Sequence, residues 1–148
     1  MTRSQRLTPV QNVVESAERK LAQSLAAHER RLAEAQDKLS ELTRYRGEYE
    51  QQLAQRASSG IGVAELRDYQ AFLARLTDAV RQQQAVAHRV RAERDAERLR
   101  WQDAATRVKA VEHVVPQWRN EERRSADRRA QHEIAARAQR ITKRELQP

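Results

Sequence analysis

Apolar side chains recur along this chain in alternating steps of three and four. Between Leu66 and Trp118 that spacing selects Leu66, Tyr69, Leu73, Leu76, Val80, Gln83, Ala87, Val90, Arg94, Glu97, Trp101, Ala104, Val108, Val111, Val115 and Trp118. Only Gln83, Arg94 and Glu97 break its apolar character. The chain is 39% hydrophobic, so positions picked at random would be mostly polar. The pattern therefore predicts the seam of a long α-helix, slightly under-wound to meet a partner. An earlier stripe reads Val10, Val14, Ala17, Leu21, Leu25, His28, Leu32, Ala35, Leu39, Leu42, Arg46, Tyr49 and Leu53, with one extra four-residue step near Leu21. A stripe this narrow cannot be buried by its own helix.

Between the two stripes lies Ala57-Ser-Ser-Gly-Ile-Gly-Val63, the one place suited to a reversal. Gly60 can adopt the left-handed backbone that closes a helix. The expected class is all-α: an antiparallel two-helix coiled coil, or helical hairpin, forming a single elongated domain over 1–148. Helix 1 is expected over about 9–57, the turn over about 58–62 and helix 2 over about 63–115. Thr8 offers a capping hydroxyl, Pro9 suits the first helical position and Gln11 lies where a capping-box partner belongs. With the reversal near residue 60, Tyr49 falls level with Ala71 and Val10 with about Ala110. Helix 2 then outruns helix 1 just before Pro116, where a kink or break is expected. Beyond it, a basic helical overhang is expected over about 117–143.

Composition narrows the chemistry. The chain has 148 residues, 34% of them charged, with only six aromatics (one Phe, two Trp, three Tyr), three Gly and three Pro. That is too little apolar bulk for a thick globular core, and too few turn formers for a sheet. Cysteine is absent, which removes disulfides and thiolate metal sites and suits a reducing compartment. No apolar run approaches the roughly 20 residues that span a bilayer, and no hydrophobic signal segment opens the chain. The net charge of +8 is uneven: 11 Lys+Arg against 10 Asp+Glu in residues 1–74, but 18 against 11 in 75–148. A basic second half suits nucleic acid, anionic lipid or an acidic protein surface, and charge alone does not choose among them.

Two places stand out. Near the reversal, Leu42, Tyr45 and Tyr49 on helix 1 and Tyr69, Phe72, Leu76, Ala79 and Gln83 on helix 2 step along one side of the seam at the same height. An apolar, aromatic patch rimmed by charge is a usual mark of a protein-binding surface; the plainer alternative is a seam broadened at its loop end. At the other end, Arg119, Arg123, Arg124, Arg128, Arg129, Arg137 and Arg140 surround a weak Ala/Ile stripe. Such a helix suits an acidic ring or channel. Nucleic acid fits less well, because Trp118 is the lone stacking ring and no reading platform accompanies it. A catalytic reading fails for want of a site. His28, His88, His113 and His132 are scattered without metal-ligand or nucleophile spacing, and no glycine-rich loop with lysine exists to hold a nucleotide. No catalytic residue, metal or cofactor is expected.

Leu39, Leu42, Tyr45, Glu48, Tyr49 and Leu53, the Gly60-Ile61 turn, then Tyr69, Gln70, Phe72, Leu76 and Ala79, and later Trp101, Arg107 and Lys109 together resemble the flagellar FliJ family. The likeness covers nearly the whole chain. It is densest in LTRYRGEYEQQL and GIGVAELRDYQAFLARLTDAV, and EIAARAQR resembles the family's tail. The resemblance implies a non-enzymatic, chaperone-like component of the flagellar type III export apparatus, similar in fold to the stalk of rotary ATPases. The partners implied are the hexameric export ATPase FliI, the cytoplasmic domain of the export gate FlhA, and export chaperones. Cytoplasmic residence with peripheral attachment at the cell membrane is implied too, with no nucleic acid.

Carried over by position, the gate-binding surface is Leu42, Tyr45, Tyr49, Phe72, Leu76 and Ala79. Arg123, Arg124 and Arg128 mark the ATPase-facing end. Lys38 and Gln83 stand where the family's stripe can carry Gln and His, and Pro116 and Gly62 also depart from the pattern. Three other readings stay open: a stalk of a virulence secretion system, a basic coiled-coil nucleic-acid binder, and a rod that assembles end to end.

Overall fold

A computed structural model describes residues 1–147. Two helices account for nearly all of it: α1, Arg3–Ser58, and the longer α2, Val63–Glu145. No strand occurs among the described residues. The helices pair antiparallel within each of two compact units. One unit is Lys20–Gln102, containing the reversal; the other joins Met1–Arg19 with the described residues from Asp103 onward.

In the first unit, α1 closes at Ser58 and Gly60 takes a φ of +90°, the left-handed value that L side chains avoid. The carbonyl of Gln55 accepts from Ser59 N and from the hydroxyls of Ser58 and Ser59, satisfying the end of α1. Arg56 in the last turn of α1 pairs with Glu65 in the first turn of α2. Each charge suits the dipole of the helix end that carries it. The core contains Leu32, Ala35, Leu76, Val80, Ala87 and Val90. Gln83 is 7% exposed, and its side-chain amide donates to the carbonyl of Ala35 at 3.0 Å. That amide is thereby committed to the seam. Of the charges on the seam, Arg94 is met from α1 by Glu29 at 3.1 Å, which the neighbouring Arg98 also reaches at 3.1 Å, while Glu97 pairs with Arg100 of α2 at 3.5 Å. Arg94 also donates to Asp95, and these acceptors raise its pKa.

In the second unit, α1 begins at Arg3, earlier than the expected start at Thr8. The capping box is Thr2-Arg-Ser-Gln5: Gln5 N donates to the Thr2 hydroxyl at 3.3 Å, and Thr2 N to the Gln5 side chain at 3.1 Å. Pro9 is inside the helix, on an exposed face. The stripe in these first turns is Ser4, Leu7, Gln11, Val14 and Glu18, all buried or half-buried, whereas Val10 and Ala17 are exposed. The three-four alternation therefore has no extra step near Leu21.

Of the kink or break expected at Pro116, the break does not occur. α2 is one helix from Val63 to Glu145, with Pro116 inside it and no separate overhang helix starting at 117. Val115 is 4% exposed and Trp118 is half-buried, while Pro116 points to the exposed side. Because α1 starts early, its first turn reaches Glu121 and Glu122, so packing flanks the proline and offsets its lost hydrogen bond.

Candidate functional site

The rings of Tyr45, Tyr49, Tyr69 and Phe72 form one cluster in the Lys20–Gln102 unit. Tyr49 is at its centre, with ring centroids 4.5 Å from Phe72, 5.2 Å from Tyr69 and 6.2 Å from Tyr45. Tyr45 meets Phe72 edge-on at 6.1 Å. These contacts flank the expected level of Ala71 opposite Tyr49, so the register follows from the position of the turn. Tilted and edge-on pairs at these separations are favourable beyond the area they bury, and the cluster is not closed on all sides. Tyr45 is 46% exposed; Tyr49, Tyr69, Phe72, Leu42 and Ala79 are half-buried. Leu76 is 7% exposed and belongs to the seam instead of the open flank.

The other region noted in the sequence lies in the unit formed by Met1–Arg19 and the segment from Asp103. Arg123, Arg124 and Arg128 are exposed and make no ion pair among the described residues. Arg128 lines a cleft of about 590 Å³ together with Arg3, Glu121, Glu122 and Arg129; Arg123 and Arg124 do not. Sequence reasoning missed what fastens this cleft. The hydroxyl of Ser4 donates to Glu122 at 2.6 Å and its backbone N–H at 3.0 Å. Arg3 pairs with Glu121 at 2.8 Å and covers the Trp118 ring at 4.5 Å. The Ser4 hydroxyl, then its N–H, hold the Glu122 carboxyl below the usual carboxylate range. Thr2-x-x-Gln5 was the available signal, because it starts α1 early enough to reach Glu122.

Neither region is an enclosed reaction chamber, and no group of three or more potential metal-ligating side chains gathers among the described residues. No helix of the described residues is long and apolar enough to cross a membrane.

Fold and surfaces together define an all-α, antiparallel two-helix protein with a ring cluster beside its seam and a basic helical end. A family model described as flagellar FliJ protein matches residues 3–145. The chain belongs to the FliJ family, and membership implies a component of the flagellar export apparatus. No curated protein and no solved structure matches it.

Proposed function

We propose that this chain is a non-catalytic coupling stalk of the flagellar type III export apparatus. Its ring cluster docks on the cytoplasmic domain of the export gate FlhA, and its basic end seats in the hexameric export ATPase FliI. Export chaperones are further partners, and these contacts hold the chain at the inner face of the cell membrane. The observation that carries the reading is the convergence of Tyr45, Tyr49, Tyr69 and Phe72 from two helices onto one partly open flank. Rigid, amphipathic rings of this kind are the usual anchors of protein interfaces. The exposed, unpaired Arg123, Arg124 and Arg128 supply a cationic counterpart for an acidic ring.

The test is binding of purified gate domain to Tyr45→Ala and Phe72→Ala. Each variant should weaken binding about tenfold, with the helical circular dichroism unchanged. Tight binding by both variants removes the ring surface from the reading. Charge reversal at Arg123 and Arg124 should lower ATPase association without affecting the gate, and an unaltered pull-down of the ATPase sinks that half.

A further inference from the structure

The face of α1 that carries Leu42, Tyr45 and Tyr49 does not stop at the rings. The same three-four steps continue to Gln52 and Arg56, and these two side chains, with Gln55, Ser59 and Tyr69, line a cleft of about 420 Å³ at the reversal. Tyr69 belongs to both surfaces, with its ring 5.2 Å from that of Tyr49. Apolar flank and polar cleft are therefore contiguous.

The hydrogen bonds already made inside the cleft decide what it can take. The Ser59 hydroxyl is spent as a donor on the carbonyl of Gln55, which also accepts from Ser58 and from Ser59 N. The side-chain amides of Gln52 and Gln55 make no hydrogen bond among the described residues. Arg56 places one terminal nitrogen on Glu65, which leaves the rest of a five-donor fork open. Glu65 thus holds the guanidinium in place from α2 without saturating it. The free valence of the cleft is that of a fixed cation flanked by two neutral amides, and its complement is a carboxylate.

We propose that this cleft is a second half of the docking surface. It takes an Asp or Glu side chain set a residue or two from the apolar group that rests on Tyr45, with Arg56 as the charge that selects it. The inference rests on the gate-docking reading of the rings, and names the chemistry of the partner segment.

The experiment titrates the purified gate domain against the full-length chain and its Arg56→Gln, Glu65→Gln and Tyr45→Ala variants at low and high salt. Arg56→Gln should weaken binding about fivefold and flatten its salt dependence. Glu65→Gln, which breaks the same ion pair but keeps the cation, should bind as tightly as the parent or tighter. Equal losses in Arg56→Gln and Glu65→Gln would show that the pair merely shapes the turn, and overturn the proposal. An unimpaired Arg56→Gln beside a weakened Tyr45→Ala overturns it while leaving the ring reading standing. If Arg56→Gln loses affinity but keeps the parental salt dependence, the partner group is not a carboxylate and the proposal fails. A parent chain that does not bind the gate domain removes both.

Discussion

At the scale of single residues, polar groups on the seam do what apolar ones cannot, because each is satisfied only where its particular partners are within reach. A leucine packs against whatever apolar surface slides past it. The Gln83 amide on the Ala35 carbonyl and the Ser4 hydroxyl on Glu122 are satisfied at one register and left costly at its neighbours. Glu122 allows a test with a definite sign. Its carboxyl is held below the usual range by the Ser4 hydroxyl, then by the Ser4 N–H, with a smaller contribution from the Arg3 charge. A depressed carboxyl stabilises the fold above its unfolded-state value and loses that effect as the pH falls through its folded-state value. Glu122→Gln should therefore melt below the parent at pH 7. The gap should stay constant down to about pH 4.5, the unperturbed value, and close below it. Thermal melts by circular dichroism from pH 7 to 3 check this; a gap unchanged at pH 3 would mean that the carboxylate charge is not what holds Ser4.

At the scale of elements, the two helices respond oppositely to the residues that favour or disfavour them. Pro116 lies inside α2, held there by packing around Val115 and Trp118, so its intrinsic penalty of about 3 kcal/mol is still borne. Pro116→Ala should raise the urea midpoint, by as much as about 3 kcal/mol of stability. At the reversal the sign inverts. Gly60→Ala should cost about 1 kcal/mol, entirely from its φ of +90°, since an added Cβ meets nothing within 4 Å.

This balance of packing against propensity also explains what the sequence disclosed. All sixteen seam positions read from Leu66 to Trp118 are buried or half-buried, including the polar Gln83, Arg94 and Glu97. The turn at Gly60 and the rings at one height were legible for the same reason, because periodicity and a left-handed glycine are local signals. The start of α1 was not. Val10 and Ala17 are more apolar than Gln11 and Glu18, yet the latter pair lies on the inner side, and only the partner helix decides that. The persistence of α2 through Pro116 was hidden likewise, since it depends on where the first turn of α1 lands. The cleft at Arg56 needed both the turn geometry and the hydroxyls spent on Gln55, neither of which is a sequence pattern.

At the scale of the whole molecule, charge and burial diverge along the chain. Residues 75–148 hold 18 Lys+Arg against 11 Asp+Glu, while residues 1–74 are nearly balanced at 11 against 10. Beyond Ser125, the described residues of α2 are exposed except for Ala136, and the apolar Ile134, Ile141 and Leu146 are among the exposed. Helix there depends on propensity and local bonds such as Thr142 to the Ala138 carbonyl, which in water sustain short helical segments only marginally. Local opening should therefore differ sharply between regions. In hydrogen exchange, amides around Leu76–Val90 should be strongly protected, and those from Ala130 onward should exchange close to unstructured rates. Addition of purified export ATPase should bring new protection to the segment after Ser125 and leave the ring cluster unchanged, because desolvating the unpaired arginines in an acidic ring would order the turns that carry them. New protection at Tyr45–Tyr49 and Tyr69–Phe72, with the basic end still exchanging freely, would assign the ATPase to the ring cluster and overturn the role proposed for the basic end.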